Sequence, residues 1–205
     1  MIIPGILESD FKEVQKKIDL LDNHTKLVQI DIADGVQVEG ETFLEIGMLN
    51  GLNAELELEI HLMVENPSDY VLRIDDAKKM VAQVEGQNLE DFIEKAKNFG
   101  YEIGLSIGPN TPNHFLDPYL QQIRYVQFMG VVPGAQGKPF EPKVLEKIKQ
   151  FRLFHPDIPI QVDGHVNKKT IKMLKPLKVN NYVVGSDIFN DADPIKKLKE
   201  LQNYV

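Results

Sequence analysis

The stretch Ile2-Ile3-Pro4-Gly5-Ile6-Leu7-Glu8-Ser9 decides between two folds. It starts as a short apolar strand. Residues 10–21 follow, with Phe11, Val14, Ile18 and Leu21 on one helical face and Ser9 or Asp10 placed to cap it. A strand leading into a helix opens both an open, doubly wound sheet and a closed barrel. The open sheet usually carries a glycine-rich turn after its first strand, such as G-x-G-x-x-G. The turn here reads Gly5-Ile6-Leu7-Glu8-Ser9 and does not fit that pattern.

Outward from that turn the chain keeps alternating. Apolar, β-rich runs predict further strands at 27–32, 56–64, 80–84, 101–107, 125–132, 158–162 and 182–184. Amphipathic stretches predict helices at 44–52, 67–74, 89–99, 114–123, 142–154, 168–177 and 194–204. Pro67 suits a helix start and Gly100 a helix stop. Spread over eight such pairs, 205 residues give about 26 per unit, close to one strand-plus-helix unit. Strict alternation implies parallel strands joined by helical crossovers. The expectation is one TIM (β/α)8 barrel domain over residues 1–205, with no linker or low-complexity stretch dividing it.

Composition narrows the partners. The chain has 42% hydrophobic residues, enough for a full core. Its 23 Lys and Arg against 31 Asp and Glu give a net charge of −8, which disfavours nucleic acid and anionic membranes as partners. A small phosphorylated substrate stays open, because backbone N–H groups can hold a phosphate on an acidic protein. The absence of cysteine excludes disulfides, thiolate metal sites and Cys nucleophiles. The start Met1-Ile2-Ile3-Pro4-Gly5 lacks a basic segment and an apolar segment of signal-peptide length, and no apolar run approaches a membrane span. The expected location is the cytoplasm.

Barrel active sites lie at the C-terminal ends of the strands, so polar residues there carry the interest. The second strand ends Gln29-Ile30-Asp31-Ile32-Ala33-Asp34-Gly35, the third Glu59-Ile60-His61-Leu62-Met63, and the seventh Gln161-Val162-Asp163-Gly164-His165. Gln29 and Asp31 share a strand face. A carboxylate in an apolar strand is costly unless it meets a cation or a polar partner. Each of Asp31, His61 and Asp163 is by itself consistent with a hydrogen-bonded strand-end residue. Together they form a possible set for a divalent metal, with Gln29 adding a weak amide oxygen. Glycines follow the last three strands, at Gly134 and Gly137, Gly164, and Gly185-Ser186. They serve as turn residues or, taken together, as a phosphate site.

These motifs resemble the ribulose-phosphate 3-epimerase family from end to end. Pro4-Gly5-Ile6-Leu7-Glu8-Ser9-Asp10-Phe11 is similar to P-S-I-L-S-A-D-F, and Asp31-Ile32-Ala33-Asp34-Gly35 to D-V-M-D-G. His61-Leu62-Met63-Val64 matches H-L-M-V, with Pro67 after it. Gly104-Leu105-Ser106-Ile107 with Thr111-Pro112 resembles the fifth-strand segment, and the run from Met129 to Phe140 resembles M-S-V-x-P-G-F-G-G-Q-x-F. Val162-Asp163-Gly164-His165-Val166-Asn167 resembles V-D-G-G-V-N, and Gly185-Ser186-Asp187-Ile188-Phe189 resembles G-S-A-V-F. The resemblance implies inversion at C3 of a ketopentose 5-phosphate by two aspartates on opposite faces, through an enediolate, with a zinc, iron or manganese ion. Asp31 and Asp163 match the aspartates, which also ligate the metal, and His61 matches a metal ligand. Met63 and Met129 match residues packed beside the enediolate. Gly164, Gly185 and Ser186 match the phosphate loops. Family members are often homo-oligomers.

The departures cluster in the site. Gln29 stands for the family's second metal histidine, Gly5 for a serine, Ala33 for a methionine and Gln83 for a histidine. His165 stands for a glycine, and Ala135 and Gln136 alter the glycine-rich loop. An amide oxygen is a poorer ligand than imidazole, so any metal is expected to bind weakly or not at all. His165 and Lys138 read either as contacts to an anionic ligand or as solvated loop residues. The sequence therefore carries two functions: a metal-assisted sugar-phosphate epimerase, or an impaired homologue that binds a sugar phosphate or a protein partner. A barrel lyase or decarboxylase ranks below both, because the inner strands offer no clearly placed lysine.

Overall fold

The computed structural model describes residues 1–52, 54–133 and 137–205. Eight strands close a barrel in sequence order: β1 (Ile2–Ile6), β2 (Leu27–Ala33), β3 (Glu57–Met63), β4 (Ala77–Gln83), β5 (Glu102–Ile107), β6 (Tyr125–Met129), β7 (Ile160–Asp163) and β8 (Asn181–Val184). Every neighbouring pair is parallel, and β1 meets β8 with Ile2 beside Tyr182 and Pro4 beside Val184. The helices are α1 (Phe11–Leu21), α2 (Leu89–Asn98), α3 (Lys143–Phe154), α4 (Lys168–Leu174), α5 (Ser186–Phe189) and α6 (Pro194–Tyr204). α1 is capped by Asp10, whose side chain accepts from Lys12 N at 2.9 Å, and it buries Val14, Ile18 and Leu21.

Three crossovers expected to be helical are only 3-10 turns, at Ile46–Gly51, at Pro67–Asp69 with Val71–Arg73, and at Asn113–Leu116. The causes are local. Gly47 and Gly51 weaken the first. Pro118 interrupts the third, because proline removes a donor and clashes with the preceding turn. Pro176 likewise cuts the helix expected to reach residue 177, so α4 ends at Leu174. The short α5 after β8 is a further element that the apolar spacing does not predict.

The strands sort their side chains by alternation. One set, including Ile30, Ile32, Ile60, Leu62, Leu105, Val126, Phe128 and Val162, faces outward and packs into the main apolar core with the helices. The inward set is different. Among the described residues, Ile3, Leu27 and Val183 form a separate apolar cluster there. Other inward positions carry Gln29, Glu59, His61, Gln83, Ser106, Gln127 and Gln161, all buried. Barrel interiors are usually dominated by branched apolar residues; here the inward polar groups bond largely to one another, with Gln83 Oε1 and Ser106 Oγ left without a partner among the described residues.

Candidate active site

The backbone register places the site. Asp31 on β2 lies beside His61 on β3. Asp163 ends β7 beside Met129 of β6, on the far side of the barrel mouth. The two aspartates and the histidine converge, with one ligand atom of each within 4.8 Å of the others. His61 Nδ1 lies 2.9 Å from Asp31 Oδ1 and 3.5 Å from Asp163 Oδ2. Two carboxylate oxygens and one imidazole nitrogen suit zinc, iron or manganese, so the donor set fits a divalent ion.

Gln29, one inward layer below Asp31, turns its amide nitrogen to the aspartates. Nε2 donates to Asp31 Oδ1 at 2.8 Å and to Asp163 Oδ2 at 2.9 Å. Its carbonyl oxygen, expected to face a metal, instead accepts from Gln161 Nε2 at 3.2 Å. An N–H group is not a ligand. Gln127 adds a second amide, with Nε2 3.3 Å from Asp163 Oδ2 and 3.3 Å from either ring nitrogen of His61. Gln83 Nε2 lies 3.2 Å from His61 Nε2, leaving its buried carbonyl oxygen without a partner among the described residues. Reversing that amide gives the oxygen a proton from His61 Nε2–H. This is the support a histidine needs when Nδ1 serves the site.

Burial is the main cause holding Asp31 above the usual carboxylate range, at about 6, and the nearby Asp163 charge adds to it. Hydrogen bonds and charge from His61, and the Gln29 amide, act against that rise. Burial alone would lower His61, but its bonds to Asp163 and Asp31 outweigh burial and raise its pKa.

Above these groups a cleft opens at the C-terminal mouth of the barrel. Asp31, Met63, Met129 and Asp163 form its floor side, and Gly137, Gly164, His165, Gly185 and Ser186 also line it. His61 and Gln29 sit buried beneath. Gly134 lies outside the described residues, as do Ala135 and Gln136. Gly164 has φ of +105°, and a Cβ there would come 2.9 Å from Val131 N, so the turn needs glycine. His165 also adopts a left-handed conformation, with φ of +51°, and its exposed side chain lies at the cleft. Lys138 lines the cleft and pairs with Glu39 at 3.7 Å. The position where the family carries serine is closed off: a Cβ on Gly5 would lie 2.7 Å from Val183 Cγ1.

Sequence reasoning missed Glu59, Gln127 and Gln161 as parts of the site's support. The signal was available in the alternation, since they precede His61, Met129 and Asp163 by two residues and share their faces.

A closed parallel barrel with two carboxylates and an imidazole gathered at its C-terminal mouth has the layout of the barrel enzymes that act on small ligands. The whole-chain comparisons are more specific. The model of the ribulose-phosphate 3 epimerase family matches residues 1–189, and the chain belongs to that family. The cytoplasmic isoform of ribulose-phosphate 3-epimerase from Oryza sativa subsp. japonica is 30% identical over 100% of this chain and 93% of its own length. The ribulose-phosphate 3-epimerase of Bacillus subtilis (strain 168) is 28% identical over 98% of this chain and 97% of its own. Among solved structures, KGPDC from Streptococcus mutans superposes with a TM-score of 0.76. At 13% identity, covering 99% of this chain and 95% of that one, it shares the fold. Family membership supports a pentose phosphate epimerase. No helix among the described residues is long and apolar enough to cross a membrane.

Proposed function

We propose that this chain inverts C3 of a ketopentose 5-phosphate, with Asp31 and Asp163 as the acid–base pair. The observation that carries the reading is the meeting of two carboxylates, from β2 and β7, within 4.8 Å of one another and of His61 at the floor of a cleft. One carboxylate takes the C3 proton, and the electron pair passes to the C2 carbonyl to give an enediolate. The other, already protonated, gives its proton to the opposite face of C3. Two groups are needed because one alone returns the proton to the face it came from. A divalent ion held by Asp31, His61 and Asp163 would supply positive charge where the enediolate oxygens become negative. The amides of Gln29 and Gln127 hold Asp163 in place, and Gln29 holds Asp31 as well. Met63 and Met129 give the reacting carbons an apolar flank.

The backbone N–H groups of the loops after β7 and β8, at Gly164, His165, Gly185 and Ser186, are the proposed phosphate contacts. The net charge of −8 does not oppose this, since those contacts are neutral dipoles.

A second reading has its own support: the Gln29 amide lies between the two carboxylates, where the family places a metal-binding imidazole. In that reading the chain binds a sugar phosphate and turns it over poorly. Assay of ribulose 5-phosphate to xylulose 5-phosphate, with and without added zinc, iron or manganese, separates the two. Turnover abolished by chelation supports the first reading. Binding of the sugar phosphate without turnover under any metal supports the second.

A further inference from the structure

Beneath the aspartates and the histidine lies a run of carboxamides that ends on one carboxylate. Glu59 on β3 is completely buried and faces the barrel axis. Its Oε2 accepts from the Tyr125 hydroxyl at 2.8 Å, and its Oε1 accepts from Gln161 Nε2. The second N–H of Gln161 is shared between Gln127 Oε1 at 2.7 Å and the more distant Gln29 Oε1 at 3.2 Å. On its other side, Gln161 Oε1 accepts from Asn181 Nδ2 at 3.2 Å. Gln29 then passes the pattern upward, with Nε2 bonded to both aspartates.

A carboxamide has one donating end and one accepting end, of nearly equal size. Its orientation is set by whichever neighbours have a single polarity. Glu59 is such a neighbour at the lower end, because its carboxylate oxygens accept, and Asp31 and Asp163 are such neighbours at the upper end. Gln161 then points its nitrogen at Glu59, and its remaining N–H faces the oxygens of Gln127 and Gln29, which agrees with the orientation the aspartates favour in Gln29. The nitrogens of Gln29 and Gln127 are then left facing the site. If Gln29 alone turned over, two N–H groups would meet between residues 29 and 161. If Gln161 turned with it, a carbonyl oxygen would meet the oxygen of Glu59. Either arrangement leaves buried polar groups unpaired, which is costly.

We propose that Glu59, acting through Gln161, locks the Gln29 amide with its nitrogen toward the aspartates, and so keeps the Gln29 carbonyl oxygen out of the cation site. Glu59 and Gln161 are positioning residues: they touch neither cation nor substrate. The proposal rests on the reading of Asp31, His61 and Asp163 as a cation site, and it holds that site to three protein ligands in this chain. Its direct consequence runs against intuition. Weakening the buried network should improve cation binding, because Gln29 is then free to turn its oxygen to the ion.

The test is calorimetric titration of the metal-stripped full chain with Mn²⁺, with circular dichroism to check folding. Glu59→Gln keeps shape and lets residue 59 present either polarity. Gln161→Met removes the donor at similar volume and serves should Glu59→Gln fail to fold. Each is expected to bind Mn²⁺ about tenfold more tightly than the unmutated chain, the scale of an outer-layer effect on a metal site. In a Gln29→Leu background, Glu59→Gln is expected to change nothing. A purely structural role for Glu59 predicts weaker binding in both single variants. Affinity that stays level or falls in both, while Asp31→Asn also loses Mn²⁺, overturns the lock and leaves the cation site standing. Asp31→Asn binding as the unmutated chain does, or no binding by any form, overturns the cation site and the lock with it.

Discussion

At the scale of single residues, protonation carries the consequences. Asp31→Asn and Asp163→Asn each remove one of the two carboxylates proposed for proton transfer. Each is expected to lower ribulose 5-phosphate epimerisation by about 10²-fold or more with the fold intact by circular dichroism. His61 binds its proton more tightly when folded than when unfolded. The stabilisation this gives is complete below the unfolded value of 6.5 and is lost as pH rises through the raised folded value. Asp31 acts with the same sign at lower pH, between its ordinary 3.8 and about 6. The metal-free protein is therefore expected to melt at progressively lower temperature as pH rises above 6.5, and His61→Asn to flatten that slope. Differential scanning calorimetry across pH reads both. Asp31, His61 and Asp163 were legible in the sequence because charged groups interrupt apolar strands. The direction in which Gln29 points its amide was not. It depends on Glu59 and Gln161, which lie 30 and 132 positions away along the chain.

At the scale of elements, β5 and β6 are fitted to each other around one missing side chain. A Cβ on Gly104 would lie 2.5 Å from the Tyr125 ring, the ring whose hydroxyl reaches Glu59. Gly104→Ala must push that ring aside, and is expected to cost about 1–3 kcal/mol of stability by chemical denaturation. At the start of α4, Asn167 accepts from Lys169 N at 2.9 Å and Thr170 N at 3.1 Å, and Thr170 returns a bond to Asn167 N. Asn167→Ala is expected to cost about 1 kcal/mol, read the same way. The strands were legible from their apolar runs to within a few residues. The crossovers were less so, because apolar spacing alone cannot separate a helix from a pair of 3-10 turns. The prolines at 118 and 176 carried that information, and each stops a helix where an uninterrupted pattern would continue it.

At the scale of the whole molecule, the barrel seats the Asp31, His61 and Asp163 cluster on a largely polar interior, with most of the apolar packing in the outer shell. A sugar phosphate that engages loops from several strands binds only the folded state. At one hundred times its Kd it is expected to add about 2.7 kcal/mol of stability, seen as a concentration-dependent rise in melting temperature. The pairing of β1 with β8 also sets a schedule for folding. Ile2 finds Tyr182 only after the intervening chain has been made, so β1 must wait with one open edge through most of synthesis. Contacts of such long sequence separation slow folding and leave intermediates prone to aggregate. The last seam to form is thus the one on which recovery from denaturation, and yield in a crowded cell, should chiefly depend.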